Sequence, residues 1–267
     1  MASVIFMKLS YIDNNRAFDF GKTSADYARF RDIYPKSLYD RLIGLGVGKE
    51  GQQILDLGSG TAILPINLYA TGAFFTATDI AENQIACGRA LAAEKGMSRI
   101  RFKVCAAEAT GFESASFDAV TAVQCFPYFD AEKAAAEIHR VLKPGGLFCT
   151  VLMDWLPRED PVIAEMIALV KRYNPTWSPE GFQKRTYRLP PWAKDRFTAE
   201  NVISYDEALI FTKEAWLGRV KTCRGVGASL SAEQVAAFEA AYRTMLRAYE
   251  EPLRLRHRIF IELYRKG

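Results

Sequence analysis

The regular alternation of short apolar runs with helix-length segments between residues 53 and 153 constrains this chain more than any other feature. Gln53–Asp56, Phe74–Asp79, Arg101–Cys105, Phe117–Gln124 and Leu147–Met153 are short runs bounded by turn residues, and they read as strands. Ala62–Ala70, Ala81–Lys95 and Ala131–Leu142 lie between them with helical patterning. Strands separated by such segments build βαβ units, and βαβ units build a parallel sheet covered by helices. At 267 residues and 49% hydrophobic composition, the chain can bury such a core and carry an added helical piece.

Outside this stretch the pattern loosens. Phe18–Ile43 holds two helix-like stretches, around Asp26–Arg31 and from Pro35 onward, where proline suits a first helical turn. A helix is predicted over Pro161–Tyr173, followed by a segment rich in Pro and Trp through Trp192, then a strand over Val202–Phe211. Further on, Val235, Phe238, Tyr242, Met245, Leu246 and Tyr249 share one helical face. Ser231 is its N-cap, Gln234 completes a capping box and Pro252 stops it. Arg258–Tyr264 alternates as a last strand. The organisation expected is an N-terminal helical segment (1–50), an α/β core (51–211), a helical insertion (212–253) and a final core strand (254–267).

Composition narrows the function classes. The formal charge of +4 is too mild to point to nucleic acid, whose phosphates need a concentrated basic patch. No apolar run approaches the ~20 residues that span a bilayer, and Met1–Tyr11 is too short and mixed for a signal peptide. Cys87, Cys105, Cys125, Cys149 and Cys223 are odd in number and form no C-x-x-C pair. They read as free thiols of a reducing, cytoplasmic compartment, with no metal site expected. The two histidines, His139 and His257, read as surface residues, so histidine catalysis is not expected.

The strongest local signal is Ile54-Leu55-Asp56-Leu57-Gly58-Ser59-Gly60-Thr61, a strand running into glycines that let the backbone come close to a ligand. A lone G-x-G is as often an ordinary tight turn. A dinucleotide fingerprint would want glycine where Ile63 stands, and Asp56 suits a cationic amino-acid ligand better than a pyrophosphate. Asp79 ends the next strand, ~20 residues beyond the glycines, where a carboxylate can accept both ribose hydroxyls of an adenosine. It could equally cap the following helix.

The order LDLGSGT, TD, AAEATGF, FDAV and VLKPGGLF resembles the class I S-adenosylmethionine (SAM) methyltransferases, in particular the ubiquinone/menaquinone-biosynthesis and trans-aconitate types. The likeness is strong over Gln53–Met153 and weaker over Phe20–Arg29. It implies a Rossmann-like α/β fold, with a mostly parallel seven-stranded sheet and a helical cover insertion, using SAM and releasing S-adenosylhomocysteine. It also implies that Asp56, Gly58, Ser59 and Gly60 surround the methionine part, Asp79 holds the ribose with Gln84 nearby, and Ile80 lies against the adenine face. Ala107 and Glu108 would flank the adenine edge, Gln124 would close the methionine end, and Tyr27 would cover the cofactor from an N-terminal lid. Where the family often has glycine, this chain has Ala62, read as tolerated because alanine is small.

No N/D-P-P-Y follows the fourth strand; Gln124-Cys125-Phe126-Pro127-Tyr128 stands there, which disfavours methylation of adenine or amide nitrogens. Candidate acceptor-site residues are Phe126, Tyr128, Trp155, Trp216, Arg219 and Arg224. Asp154 is the candidate general base, should the acceptor need to lose a proton. Each has a plainer alternative: core packing for the aromatic residues, solvated charge for the arginines, capping for Asp154. The leading expectation is methyl transfer to a small molecule. The alternatives are an RNA- or protein-modifying methyltransferase and a SAM-binding protein without turnover.

Overall fold

The computed structural model describes residues 12–13, 17–178 and 187–267. Seven strands form one sheet in the order β3-β2-β1-β4-β5-β7-β6. They are β1 (Gln53–Leu57), β2 (Phe74–Asp79), β3 (Ile100–Val104), β4 (Phe117–Val123), β5 (Leu142–Trp155), β6 (Phe197–Phe211) and β7 (Leu253–Lys266). β1 pairs in parallel with β2 (Asp56 opposite Ala77) and with β4 (Asp56 opposite Thr121), and the β2–β3 and β4–β5 pairs are also parallel. The strand order therefore reverses between β1 and β4. At such a switch point, open α/β sheets leave a crevice beyond the carboxyl ends of their strands. Among the described residues, no helix is long and apolar enough to cross a membrane.

By internal contacts the chain divides into two compact units. The one holding the crevice comprises Tyr34–Met153, Thr186–Tyr205 and Ile259–Gly267. Its helices are α2 (Lys36–Gly44), α3 (Ile63–Asn67), α4 (Glu82–Glu94) and α5 (Ala131–Val141). On α5, Ala134, Ala135, Ile138 and Val141 are buried, at the spacing of one helical face, and the Asp130 side chain accepts the Lys133 N–H as N-cap. They join a core that includes Leu55, Val120, Phe148 and Tyr264. The Trp192 indole lies 4.9 Å from the Phe126 ring and 5.2 Å from Tyr264, so the segment rich in Pro and Trp supplies core aromatics.

Two of the sequence motifs tie the amino-terminal ends of the strands. The Asp118 carboxylate of FDAV accepts the Gln53 N–H at 2.8 Å and pairs with Lys143 of KPGG at 2.7 Å. β5 begins at Leu142 rather than at Leu147, because the Pro-Gly-Gly segment is an excursion of the strand. Pairing with β4 shifts register between Phe117–Leu142 and Ala119–Leu147.

The other unit comprises Met1–Ile33, Asp154–Arg185 and Asp206–Arg258. It contains α1 (Ser24–Phe30), α6 (Pro161–Tyr173), α7 (Lys213–Lys221) and α8 (Ala232–Leu246). In this division the described residues 154–178 group with the N-terminal segment and with 206–258. The α8 capping box is formed, and Phe238, Tyr242 and Leu246 of its apolar face are buried. α6 starts at Pro161, with the Asp160 carboxylate accepting the Ile163 N–H.

Candidate active site

β1 ends in Asp56 and Leu57, both buried, and the chain then turns through Gly58 (φ 58°) and Gly60 (φ 56°). Glycine reaches this left-handed region without the Cβ penalty other residues incur. At Gly58 a second constraint adds to the first. A Cβ there would lie 2.7 Å from Cys125 Cβ, while the Cys125 thiol donates to the Leu57 carbonyl at 3.0 Å. The Ser59 N–H donates to Thr78 O at 2.8 Å, which pins the loop to β2. The Ser59 hydroxyl is buried with no hydrogen-bond partner, and so is that of Thr61. Buried hydroxyls without partners are costly and mark a place where a ligand can supply the bond.

Asp79 closes β2 beside this loop. One carboxylate oxygen accepts Gly60 N–H at 3.0 Å and the other accepts Ala81 N–H at 2.8 Å. The carboxylate thus joins the two strand tips. Burial raises its pKa, opposed by those N–H bonds. Asp56 is pushed up to about 7, chiefly by burial; the Thr121 hydroxyl, donating at 2.6 Å, works against the shift and the nearby Asp79 adds to it. Two neighbouring acids, Asp56 buried and Asp79 half-buried, both penalised for being charged, form an electrostatic setting that a cation would relieve.

The remaining positions expected around a cofactor follow. Ile80 is half-buried at the bend after β2, and Gln84 is buried on α4. Ala107 is buried in the core cluster. The Glu108 carboxylate accepts the Asp130 N–H at 2.8 Å, which ties the loop after β3 to the start of α5. Gln124 sits in the left-handed region (φ 62°), and its amide clamps Met153 in both directions: Nε2 donates to Met153 O at 2.8 Å and Oε1 accepts Met153 N–H at 3.0 Å. Its side chain therefore joins the ends of β4 and β5. Ala62, read as acceptable for its size, is itself left-handed (φ 61°, ψ 38°). Glycine suits that position because of backbone conformation, a constraint that size does not capture.

Thr121, Cys125, Thr110 and Glu137 also shape this region, and sequence reasoning did not find them. Each acts through hydrogen bonds or contacts across strands or loops, which leave no periodic trace in the chain.

Phe126 packs in the core, its ring 5.5 Å from Phe148, and Tyr128 is half-buried on the same 3-10 turn. The other candidates belong to the second unit. Tyr27 lies under the Arg31 guanidinium at 4.7 Å. Asp154 is half-buried near the end of β5; the Arg258 pKa is raised chiefly by its hydrogen bond to Asp206, with Asp154 a minor contributor. Arg224 is buried in an ion pair with Asp13 at 2.7 Å and donates to Ser178 O, so it is no solvated charge. Arg219 is buried too, its guanidinium 5.1 Å from the Trp155 ring and 5.2 Å from that of Trp216.

His257 corrects the sequence reading: it is fully buried, with Nδ1 donating to Leu255 O at 2.9 Å. Burial, with Arg219 nearby, pushes its pKa down to about 3 and keeps it neutral. The alternation of β7 turns it inward. His139 is half-buried, edge-on to Phe197. Among the described residues no cluster of His, Cys, Asp and Glu could hold a metal.

Residues 55–150 match the family model described as "Methyltransferase domain". Over this stretch, about a third of its length, the chain is similar to methyltransferase domains. It is 39% identical over 109 residues to the demethylmenaquinone methyltransferase of Thermus thermophilus, covering 40% of this chain and 49% of that protein. It is 37% identical over 157 residues to the ubiquinone/menaquinone biosynthesis C-methyltransferase UbiE of Brucella anthropi, covering 54% and 58%. The chain thus spans about half the length of the curated relatives it matches. Among solved structures, YcgJ from Bacillus subtilis superposes with a TM-score of 0.55 at 20% identity, over 85% of this chain and 97% of that one. Geranyl diphosphate C-methyltransferase from Streptomyces coelicolor gives 0.50 at 17% identity, over 87% and 79%. These likenesses show the Rossmann-like fold.

Proposed function

We propose that this protein transfers a methyl group from SAM to a small-molecule acceptor. The observation that carries the reading is the pair of carboxylates, Asp56 buried and Asp79 half-buried, flanking a left-handed glycine turn with the unpartnered Ser59 hydroxyl at the switch point of the sheet. The donor set fits the cofactor. Asp56 would meet the positively charged methionine portion, and ionisation of Asp56 is favoured when a cation arrives. Ser59 would supply a hydrogen bond to the same portion, and Asp79 would accept the ribose hydroxyls while its other lone pairs keep Gly60 and Ala81 in place. Support comes from the methyltransferase domain match and from the relatives named above; the Streptomyces coelicolor neighbour was solved with S-adenosyl-L-homocysteine and geranyl diphosphate.

When bound, SAM supplies an activated methyl on a sulfonium, which passes in line to the acceptor as the carbon–sulfur bond breaks and leaves S-adenosylhomocysteine. This chain's residues then have to align the acceptor and exclude water. Asp154 is the proposed base for an acceptor that must lose a proton. Tyr128, Trp155, Trp216 and Arg219 are proposed around the acceptor and Tyr27 over the cofactor; Arg224, already paired with Asp13, and Phe126, within the core, are weaker candidates. Five thiols free of disulfides support a reducing, cytoplasmic setting.

Calorimetric titration with SAM and S-adenosylhomocysteine tests the cofactor assignment. The wild type should bind both, and Asp79→Ala should lose at least tenfold in affinity, the scale of one or two charge-assisted hydrogen bonds. Unchanged binding in that variant overturns the site. Release of S-adenosylhomocysteine across an acceptor panel then tests turnover.

A further inference from the structure

The loop after β3 leaves the sheet directly beside Asp79, whose carbonyl accepts the Cys105 N–H at 3.1 Å. It has no regular secondary structure from Cys105 to Gly111 apart from one turn, yet besides the Glu108–Asp130 tie its Thr110 is held through N–H, hydroxyl and carbonyl alike. The Glu137 carboxylate on α5 accepts both the Thr110 N–H (2.9 Å) and the Thr110 hydroxyl (2.5 Å). The Lys103 ammonium, at the end of β3, donates to the Thr110 carbonyl at 2.7 Å while lying 4.4 Å from the Phe112 ring. Thr110 is itself buried, so its backbone and side-chain polar groups all need partners inside the protein.

Glu137 is well equipped for this role. The Arg140 guanidinium donates to its two oxygens at 2.7 Å each, and the Glu137 side chain is only 10% exposed. The arginine and the Thr110 donors together hold the carboxylate ionised, its pKa lowered to about 2. Arg140 also donates to Ser114 at 3.3 Å, so the fixture extends to the far side of the loop. Nothing in this network touches the glycine turn or the Asp79 carboxylate. It fixes only the loop that carries Ala107 and Glu108.

We infer that Glu137 and Thr110 are positioning residues for the cofactor's nucleobase, a clamp that sets the loop after β3 at the depth from which it reads the base. The inference rests on the SAM reading above and concerns the base end alone. A loop without secondary structure recognises a flat heterocycle through its backbone and small side chains, and such contacts demand placement to a fraction of an ångström. Burying Ala107 on one side and clamping Thr110 on the other leaves the intervening residues little freedom. The role also accounts for the sequence pattern: threonine in AAEATGF supplies both an N–H and a hydroxyl to one carboxylate three residues before the arginine of EIHR.

The test uses the full chain and two ligands, S-adenosylhomocysteine and its counterpart bearing hypoxanthine in place of adenine. Calorimetry on the wild type should give the adenine form a clear advantage. Thr110→Val keeps the shape and removes the hydroxyl; it should weaken the adenine form about tenfold and narrow its advantage over the hypoxanthine form. Thr110→Ser should restore both values, and Glu137→Gln should fall between. A purely structural role would lower the melting temperature while leaving the ratio of the two affinities unchanged, and that result overturns the clamp. So does a Thr110→Val protein that binds both ligands as the wild type does. If the wild type binds neither ligand, the SAM reading fails with the clamp; if it binds both and only the variants are silent, the clamp alone fails.

Discussion

At the scale of single residues, the carboxylate of Asp56 makes the crevice sensitive to pH. Its pKa is raised in the folded protein to about 7 from the ordinary value of 3.8, so between those values the folded state holds a proton that the unfolded state has lost. The stability contributed by this proton is complete below pH 4 and is lost as pH rises toward 7, at up to about 1.4 kcal/mol per pH unit. Thermal melts of the ligand-free protein should show this slope, and Asp56→Asn should flatten it. SAM affinity should run the other way, rising as Asp56 ionises, because a bound cation favours the carboxylate form.

Ala62 gives a second residue-scale outcome. Its left-handed backbone costs about 1 kcal/mol that glycine would not incur, so Ala62→Gly should raise stability by about that amount in a urea titration. The sequence located Ala62 as a departure from the family pattern and misjudged the reason. A residue's side chain is written in the sequence, but its φ is set by the turn it must complete.

Helices were the most legible elements, because their caps and stripes are local. The Ser231–Gln234 capping box and the buried Phe238, Tyr242 and Leu246 follow from spacing alone. Strand limits were less legible. β6 begins at Phe197, not at Val202, since a strand at the sheet edge with exposed Glu200, Asn201 and Ser204 lacks the apolar run that marks a buried one. Contacts between elements left even less trace. A Cβ on Gly218 of α7 would fall 2.4 Å from the Phe30 ring of α1, so the two helices meet through a missing side chain. Gly218→Ala, ordinarily a stabilising change inside a helix, should instead cost about 1–3 kcal/mol by forcing Phe30 aside. Chemical denaturation checks the sign.

For the molecule as a whole, ligand binding is the property most easily read. A ligand that binds only the folded state adds about 2.7 kcal/mol at a hundred times its dissociation constant. For a chain of this size that corresponds to a rise of roughly 5–10 °C in melting temperature. SAM should produce this rise in the wild type, and Asp79→Ala should abolish it at the same concentration. With a formal net charge of only +4, the molecule should show weak dependence of this shift on salt, since the groups proposed to hold the cofactor are at least half-buried and poorly screened.

By itself the sequence determined the parallel α/β sheet, the glycine turn after β1 and the two acids at the strand tips, because these are repeated or local patterns a linear chain can display. Tertiary structure alone decided that Asp56 meets Thr121, that Cys125 forbids a side chain at Gly58, that Glu137 holds Thr110, and that His257 lies buried beside Arg219. The physical reason is common to all four. Each depends on residues far apart in the chain being brought within a few ångströms, where burial and hydrogen bonding change what a side chain does, and no composition or period encodes that meeting.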